Sequence, residues 1–310
     1  MYLSEQEVRA VLTCDALIPA IRQSLIDYSA GLVNQPPRTI LRAGNAEGHS
    51  NGWFAVMPVV AGDVMGVKTV TFFPGNAGLG LPTHMATIEL LSRSTGEPLA
   101  VMDGRLITEM RTAAVSAVAL EALARPEAKS LGILGSGVQA RSHIQALRLV
   151  RPALADIRIW SRTAAHAQKL AEETGTRAVA IEEACAADVV LTVTASPEPL
   201  LKGRWLAPHS LVLAVGAVGA HLRELDDEAM LGAYLVAESR QGVERESGDV
   251  LLSGVKVQAE IGEILAAPQS ISAAPARRTV FKSVGMAIED LVAARLVWQA
   301  YATRAIQHPY

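Results

Sequence analysis

The stretch Leu131-Gly132-Ile133-Leu134-Gly135-Ser136-Gly137-Val138-Gln139-Ala140 decides how the chain is read. Its first four residues are a short apolar run of the kind that becomes a buried strand, and Val138 to Val150 repeats apolar positions at helical spacing. A GxGxxA sequence sits at the turn between them. The first glycine there permits a tight turn, the second lets a pyrophosphate approach the backbone, and Ala140 lets helix and sheet pack closely. The start of the helix adds amide donors and a dipole favourable to an anion. A glycine-rich turn without a ligand is the plainer alternative, and the strand and helix flanking the motif weigh against it.

Outward from this motif the sequence alternates. Ile157 to Trp160, Arg177 to Ala180, Asp188 to Thr192, Leu211 to Ala214 and Tyr234 to Ala237 read as strands, and Ala164 to Glu173 as a helix. The alternation predicts a Rossmann-type α/β domain with a doubly wound parallel sheet. The preceding region reads differently. Phe54 to Val60, Val67 to Phe73, Thr87 to Leu91 and Leu99 to Asp103 follow one another as strand-like runs punctuated by Gly, Pro and Asn, which predicts a largely antiparallel sheet. Ahead of it, Ser4 and Glu7 stand in capping-box spacing before Val8, Leu12, Leu17, Ile18, Ile21 and Leu25, a pattern for one or two amphipathic helices. Another helix is expected from Thr108 to the neighbourhood of Ala124, closed by Pro126. The last helix, Met286 to Ala302, has an apolar face that pattern alone assigns to neither half.

The 310 residues are twice the length of a typical domain of ~150, so two domains are expected. With 50% hydrophobic but only 4% aromatic residues, the core must be built from Ala, Val, Leu and Ile, and a disordered chain is excluded. The balance of 28 basic against 31 acidic residues leaves no broad footprint for nucleic acid or an anionic membrane, so the partner is a small molecule. No apolar run approaches the ~20 residues that span a bilayer, and Glu5 and Glu7 stand where a presequence would carry bases, so the expected compartment is the cytoplasm. Cys14 and Cys185 lie in no metal-ligand spacing and are expected to be ordinary buried thiols. The histidines show no zinc spacing and no GxSxG sequence appears, so neither a metal nor nucleophilic catalysis is supported.

Charged residues in apolar settings mark the candidate sites. After the strand ending at Trp160 comes Ser161-Arg162-Thr163, without the carboxylate that commonly contacts the ribose of NAD. Arg162 could bind a 2′-phosphate, with Ser161 and Thr163 adding hydroxyls, which favours NADPH over NADH; a solvated surface arginine is the alternative. Arg38 follows two prolines, Lys68 interrupts an apolar strand and Arg111 sits in the first turns of a helix. An ammonium among Val67, Val70, Phe72 and Phe73 is costly to bury alone, so Lys68 either faces solvent on an alternating strand or meets a carboxylate. Glu224-Leu225-Asp226-Asp227-Glu228 is a helix-start signal in which Asp226 and Asp227 are expected to cap.

Four stretches together resemble the ornithine cyclodeaminase/mu-crystallin family: Val101 to Ser116, Gly135 to Ala140, Glu246 to Gly254, and Thr279 to Asp290. They span nearly the whole chain and are most similar to the mu-crystallin, or ketimine reductase, branch. The resemblance implies a Rossmann dinucleotide-binding domain over residues 116–285. It also implies a substrate-binding and dimerisation domain built from 1–115 and 286–310, so the last helix returns to the first domain and the chain forms a homodimer. It further implies that Arg38, Lys68 and Arg111 form a cationic pocket for a substrate carboxylate, with Lys68 and Arg111 catalytic. Thr83, His84, Arg111 and Thr112 match positions near the nicotinamide. Gly135, Gly137, Val138, Gln139, Ser161, Arg162, Thr163, Thr194, Val215 and Ser283 match other cofactor-lining positions.

In one place the chain departs from the family it resembles. Where ornithine cyclodeaminases and related alanine dehydrogenases carry an Asp, the segment Val215-Gly216-Ala217-Val218 places Val218. Cyclodeamination of ornithine needs that carboxylate to manage protons on an amine, whereas reduction of a preformed cyclic imine requires chiefly that it be oriented. The expected activity is therefore NAD(P)H-dependent reduction of Δ1-pyrroline-2-carboxylate and Δ1-piperideine-2-carboxylate to L-proline and L-pipecolate. NADPH is the preferred donor and NADH the second. Ornithine cyclodeaminase or alanine dehydrogenase activity, and a non-catalytic nucleotide-binding role, are the alternatives.

Overall fold

A computed structural model describes residues 1–44, 52–268 and 277–307. The chain divides into two compact units, one of Met1–Arg111 with Met286–Tyr310 and the other of Thr112–Gly285.

The first unit opens with β1 (Tyr2–Leu3), α1 (Glu5–Val11) and α2 (Cys14–Ser29), then runs through β2 (Thr39–Ala43), β3 (Gly52–Ala61), β4 (Val64–Phe72), β5 (His84–Ser92) and β6 (Pro98–Asp103). The expected capping box forms at α1: Ser4 Oγ accepts from the Glu7 amide, and the Glu7 carboxylate accepts from the Ser4 amide. The strands make one sheet in the order β1-β6-β5-β4-β3-β2, antiparallel throughout except that β1 runs parallel to β6. Sequence pattern did not reveal β1 or β2, because one has only two residues and the other is an exposed edge without alternation. Met57, Val70, Ile88 and Met102 are buried on one face of this sheet. The final helix, Ala287–Gln307, covers that face, packing across β3, β4 and β5 and against α2 with Ile288, Leu291, Ala294 and Val297 buried. Its first turn is tied down by Gln35, whose Oε1 accepts from the Ile288 amide at 2.9 Å.

Helix α3 (Arg105–Leu123) contains the boundary between the units. The second unit continues with β7 (Ser130–Leu134), α4 (Val138–Val150), β8 (Asp156–Trp160), α5 (Ala164–Thr174), β9 (Arg177–Ala178), α6 (Ile181–Cys185) and β10 (Val189–Thr192). It is completed by β11 (Leu211–Ala214), α7 (Asp227–Met230), β12 (Tyr234–Ala237), α8 (Arg240–Glu246), α9 (Gly248–Ser253), β13 (Ala259–Glu260), α10 (Ile261–Ala266) and β14 (Thr279–Lys282). All eight strands are parallel, in the order β13-β12-β14-β11-β10-β7-β8-β9. This is the doubly wound sheet that the alternating pattern predicts, and the buried runs of β10, β11 and β14 show no alternation because both faces are covered. The chain leaves β7 toward β8 and β9, then returns to place β10 on the other side of β7. A switch of that kind opens a crevice at the carboxyl ends of the strands, where ligands of open α/β sheets bind.

Asp226 caps α7, accepting from the Ala229 amide at 2.9 Å. Cys185 is buried, whereas Cys14 is only half-buried, because the first position of α2 lies at the rim of the helix packing. Among the described residues no helix is long and apolar enough to cross a membrane, and no cluster of His, Cys, Asp and Glu could hold a metal ion.

Candidate active site

In the second unit the motif residues meet at the carboxyl edge of the sheet. The Gly135 amide donates to Trp160 O at 2.9 Å and the Val193 amide to Leu134 O at 3.0 Å, so the turns after β7, β8 and β10 are stapled side by side. Ser136 Oγ donates to Ser161 Oγ at 2.9 Å. Gly135 has a φ of 128°, and a Cβ there would lie 2.9 Å from Val193 O, so this position requires glycine. Gly137 differs: its φ of −81° suits any residue, and a Cβ would meet nothing within 4 Å. Its lack of a side chain leaves the start of α4 open, with no side chain capping the helix.

The result is a cavity of about 440 Å³. Gly135, Ser161, Arg162, Thr163 and Thr194 line it, together with His166, which sequence reasoning did not single out. Val138 and Gln139 begin α4, and Val215 and Ser283 directly follow β11 and β14, so they share the same carboxyl edge without lining this cavity. Ser283 is buried and donates to Glu238 Oε1 at 2.6 Å. These residues fit a dinucleotide: an open glycine turn before an uncapped helix for the pyrophosphate, and Arg162, exposed, at the end of β8.

A buried acid organises this edge. Glu224 is fully buried, and its Oε1 accepts from the Thr194 amide at 2.7 Å and Thr194 Oγ1 at 2.6 Å. Its Oε2 accepts from Thr192 Oγ1 at 2.8 Å and from the Gly216 and Ala217 amides at 3.0 Å. Burial raises its pKa, opposed by the positive charge of Lys282. Lys282 in turn pairs with Asp249 at 3.0 Å and donates to Ala217 O at 3.0 Å.

The first unit holds the other cluster. Lys68 lies on the buried face of β4, opposite Met57 and Ile88, and is only 3% exposed. Of the two outcomes open to it, it meets a carboxylate, and that carboxylate belongs to the protein: Nζ is 2.5 Å from Asp290 Oδ2. Arg111, also buried, donates through Nε to Asp290 Oδ1 at 3.2 Å and through Nη1 to Glu289 Oε2 at 2.7 Å. Burial brings the Lys68 ammonium down to about 8, with Asp290 opposing the fall and Arg111 and Arg38 adding to it. Arg38 is half-buried.

Along the same face, two residues beyond Val70, Phe72 stacks at 4.5 Å between centroids on His84 and at 5.7 Å on Trp53. His84 is lowered in pKa by burial and by the Lys68 charge, and Thr83 Oγ1 lies 3.4 Å from its Nδ1. Thr112, at the start of the second unit, is buried. Glu289 and Asp290 carry no signal of their own in the sequence beyond being two acids among the apolar residues that open the last helix. The same reasoning that marked Lys68 marks them as charges in need of partners.

The family model for the ornithine cyclodeaminase/mu-crystallin family matches residues 1–304. The chain is 42% identical over 315 residues to the ketimine reductase mu-crystallin of Mus musculus, covering 97% of each. It is 34% identical to the Δ1-pyrroline-2-carboxylate reductase of Thermococcus litoralis, solved with NADH and L-proline, at a TM-score of 0.90 over 99% of this chain and 98% of that one. An archaeal alanine dehydrogenase, solved as a dimer with bound NAD, superposes at a TM-score of 0.92 with 29% identity, covering 98% of this chain and 96% of that one.

Proposed function

Starting from the premise that this chain belongs to the ornithine cyclodeaminase/mu-crystallin family, we propose that it reduces cyclic ketimino acids, with NADPH preferred to NADH. It is an NAD(P)H oxidoreductase acting on carbon–nitrogen double bonds, as its reductase relatives are. The substrates are Δ1-pyrroline-2-carboxylate and Δ1-piperideine-2-carboxylate, giving L-proline and L-pipecolate. What carries this proposal is the buried cation pair Lys68 and Arg111, with Arg38 as a third positive charge in the same unit. Each is already held by acids of the final helix, Lys68 by Asp290 and Arg111 by Glu289 and Asp290, so a substrate carboxylate would take their remaining donors, in a site where little water screens the charges.

When bound, the reduced nicotinamide supplies the hydride that adds to the imine carbon. Lys68, Arg111 and Arg38 hold the substrate carboxylate and so fix where the adjacent imine carbon lies. The electron pair of the C=N bond moves onto nitrogen, which must carry a proton for the product to leave as an amine. Lys68, brought down to about 8 by its burial, or an ordered water supplies it, and His84 is the weaker candidate. Val218, 38% exposed and apolar, can neither accept nor donate a proton where the cyclodeaminases carry an Asp, which favours reduction over loss of ammonia. The open front of Gly137 and the charge of Arg162 support the dinucleotide and its 2′-phosphate. A homodimer, a cytoplasmic location, and cofactor-lining roles for Val138, Gln139, Val215 and Ser283 complete the proposal.

The test is a substrate panel on purified protein, following nicotinamide absorbance. The two cyclic imines with NADPH or NADH are compared with pyruvate plus ammonia and with ornithine plus NAD. Consumption of NADPH with the cyclic imines alone is expected. Ammonia release from ornithine above a protein-free control would move the chain to the cyclodeaminase branch.

A further inference from the structure

We propose that Asp290 is a positioning residue, the buried carboxylate that keeps Lys68 an ammonium ion and fixes it beside Arg111, so that the two cations meet a substrate as one unit. This rests on the imino-acid reading above and extends it to a residue of the final helix that contacts neither substrate nor cofactor in that reading.

The geometry is that of a bridge. One oxygen of Asp290 faces Lys68 Nζ at 2.5 Å and the other accepts from Arg111 Nε at 3.2 Å. All three side chains are buried, and the strand neighbours facing Lys68 across the sheet are Met57 and Ile88. An ammonium there has lost most of its hydration, and a lone buried amine would shed its proton. Asp290 supplies the opposing charge. The largest opposing charge effects on Lys68 come from Arg111 of α3 and Arg38 from before β2, and both push it toward the neutral amine. His84, farther along the same face, feels the Lys68 charge as a penalty on its own protonation. Glu289, on the same turn of the final helix, spends its charge on Arg111 at 2.7 Å. Without Asp290, Lys68 is left beside two cations, Arg111 and Arg38, and an acid that is already bound to Arg111.

The two acids of the final helix are thereby distinguishable. Arg111 stays charged at any working pH, so losing Glu289 can loosen its guanidinium but cannot change its protonation. Lys68 titrates, so losing Asp290 changes whether a second cation exists at all.

The experiment uses the full chain with isotope-labelled lysine side chains, and with only six lysines the Lys68 signal is assigned by its disappearance in Lys68→Arg. Unmodified protein should show Lys68 titrating at about 8. In Asp290→Asn the midpoint should fall by roughly one pH unit or more, the scale of removing an opposite charge at this range. The alkaline limb of kcat/KM for a cyclic imine should move down with it, so the variant regains activity as the pH is lowered. Glu289→Gln should lower kcat/KM without moving either midpoint. An unchanged Lys68 midpoint in Asp290→Asn, or equal shifts in the two variants, overturns the proposal. Should Asp290→Asn fail to fold, Asp290→Glu takes its place: the retained charge should hold the midpoint within about half a unit while kcat/KM falls roughly tenfold or more. A full-unit drop there would equally overturn it. If no imine is turned over by unmodified protein and the midpoint still falls in Asp290→Asn, the reductase reading fails and the Asp290–Lys68 linkage stands.

Discussion

Replacing Glu224 by alanine tests whether one buried carboxylate holds the cofactor edge of the second unit together. Its side chain accepts from three backbone amides, those of Thr194, Gly216 and Ala217, and from the hydroxyls of Thr192 and Thr194. The hydroxyls can rotate to other acceptors, but the amides are fixed by the turns after β10 and β11. The Gly216 amide keeps Thr192 O at 3.0 Å; a buried donor left without a partner costs about 1–3 kcal/mol, so the other two set a lower bound near 2 kcal/mol. The cavity adds to this, while relief from burying a charge beside Asp249 subtracts, so the net expectation is about 2–4 kcal/mol. For a unit of this size about 2–4 °C of melting temperature is lost per kcal/mol, giving a fall of roughly 4–16 °C by thermal scanning. Glu224→Gln keeps one carbonyl oxygen and should fall about half as far. Because Thr194 lines the cavity and Val215 precedes Gly216, the dissociation constant for NADPH, read by fluorescence titration, should rise at least roughly tenfold in the alanine variant. A melting temperature within about 2 °C of the unmodified protein would show that the amides find other partners and would refute the reasoning.

Three further outcomes are expected. Arg162→Ala should lower kcat/KM with NADPH by about 1–3 kcal/mol of transition-state stabilisation and leave NADH nearly unaffected, measured as the ratio of the two cofactors; equal losses would remove Arg162 from the 2′-phosphate. Lys68→Ala should cost at least roughly tenfold in kcat/KM for a cyclic imine while NADPH affinity survives, and intact turnover would show that Lys68 serves only to neutralise Asp290. His143 is buried with Nδ1 donating to Gln139 O at 2.7 Å and Nε2 at 2.9 Å from Ser116 Oγ, and burial brings its imidazole down from 6.5 to about 4. The folded state therefore binds fewer protons than the unfolded one between these values, so the contribution is complete above pH 6.5 and roughly 3 kcal/mol is lost as pH falls through about 4. Chemical denaturation across that range should show the slope, and His143→Gln should flatten it.

Much of the second unit was legible because its signals are local. Val138–Val150, Leu211–Ala214 and Tyr234–Ala237 occur at the bounds that periodicity predicts, and Asp226 caps the helix its spacing announced. The two-residue strands β9 and β13 were lost or overextended, since so short a pairing leaves no period to read. β14 shows a different limit. Its four residues are fully buried between β11 and β12, yet Lys282 interrupts the apolar run, and pattern alone gives no reason to insert this late segment into the middle of the sheet.

The candidate site divides along the same line. Gly135, Ser161, Arg162 and Thr163 were legible because a turn motif and the end of the next strand bring them together over a short span. The buried acids were not, since Asp290 and Glu289 reach Arg111 across 179 and 178 positions and Glu224 reaches Thr194 across 30. What sequence does disclose is a cost: Lys68, Lys282, Glu289 and Asp290 each place a charge in an apolar run, and burying an unpaired charge there is prohibitive. Such residues must be matched with opposite charges, and the sheet topology decides the pairing. Lys68 on a central strand lies under the first turn of the final helix, so its partner is Asp290, whereas Lys282 at the end of β14 meets Asp249. The sequence thus names the charges that need partners, and the fold assigns the partners.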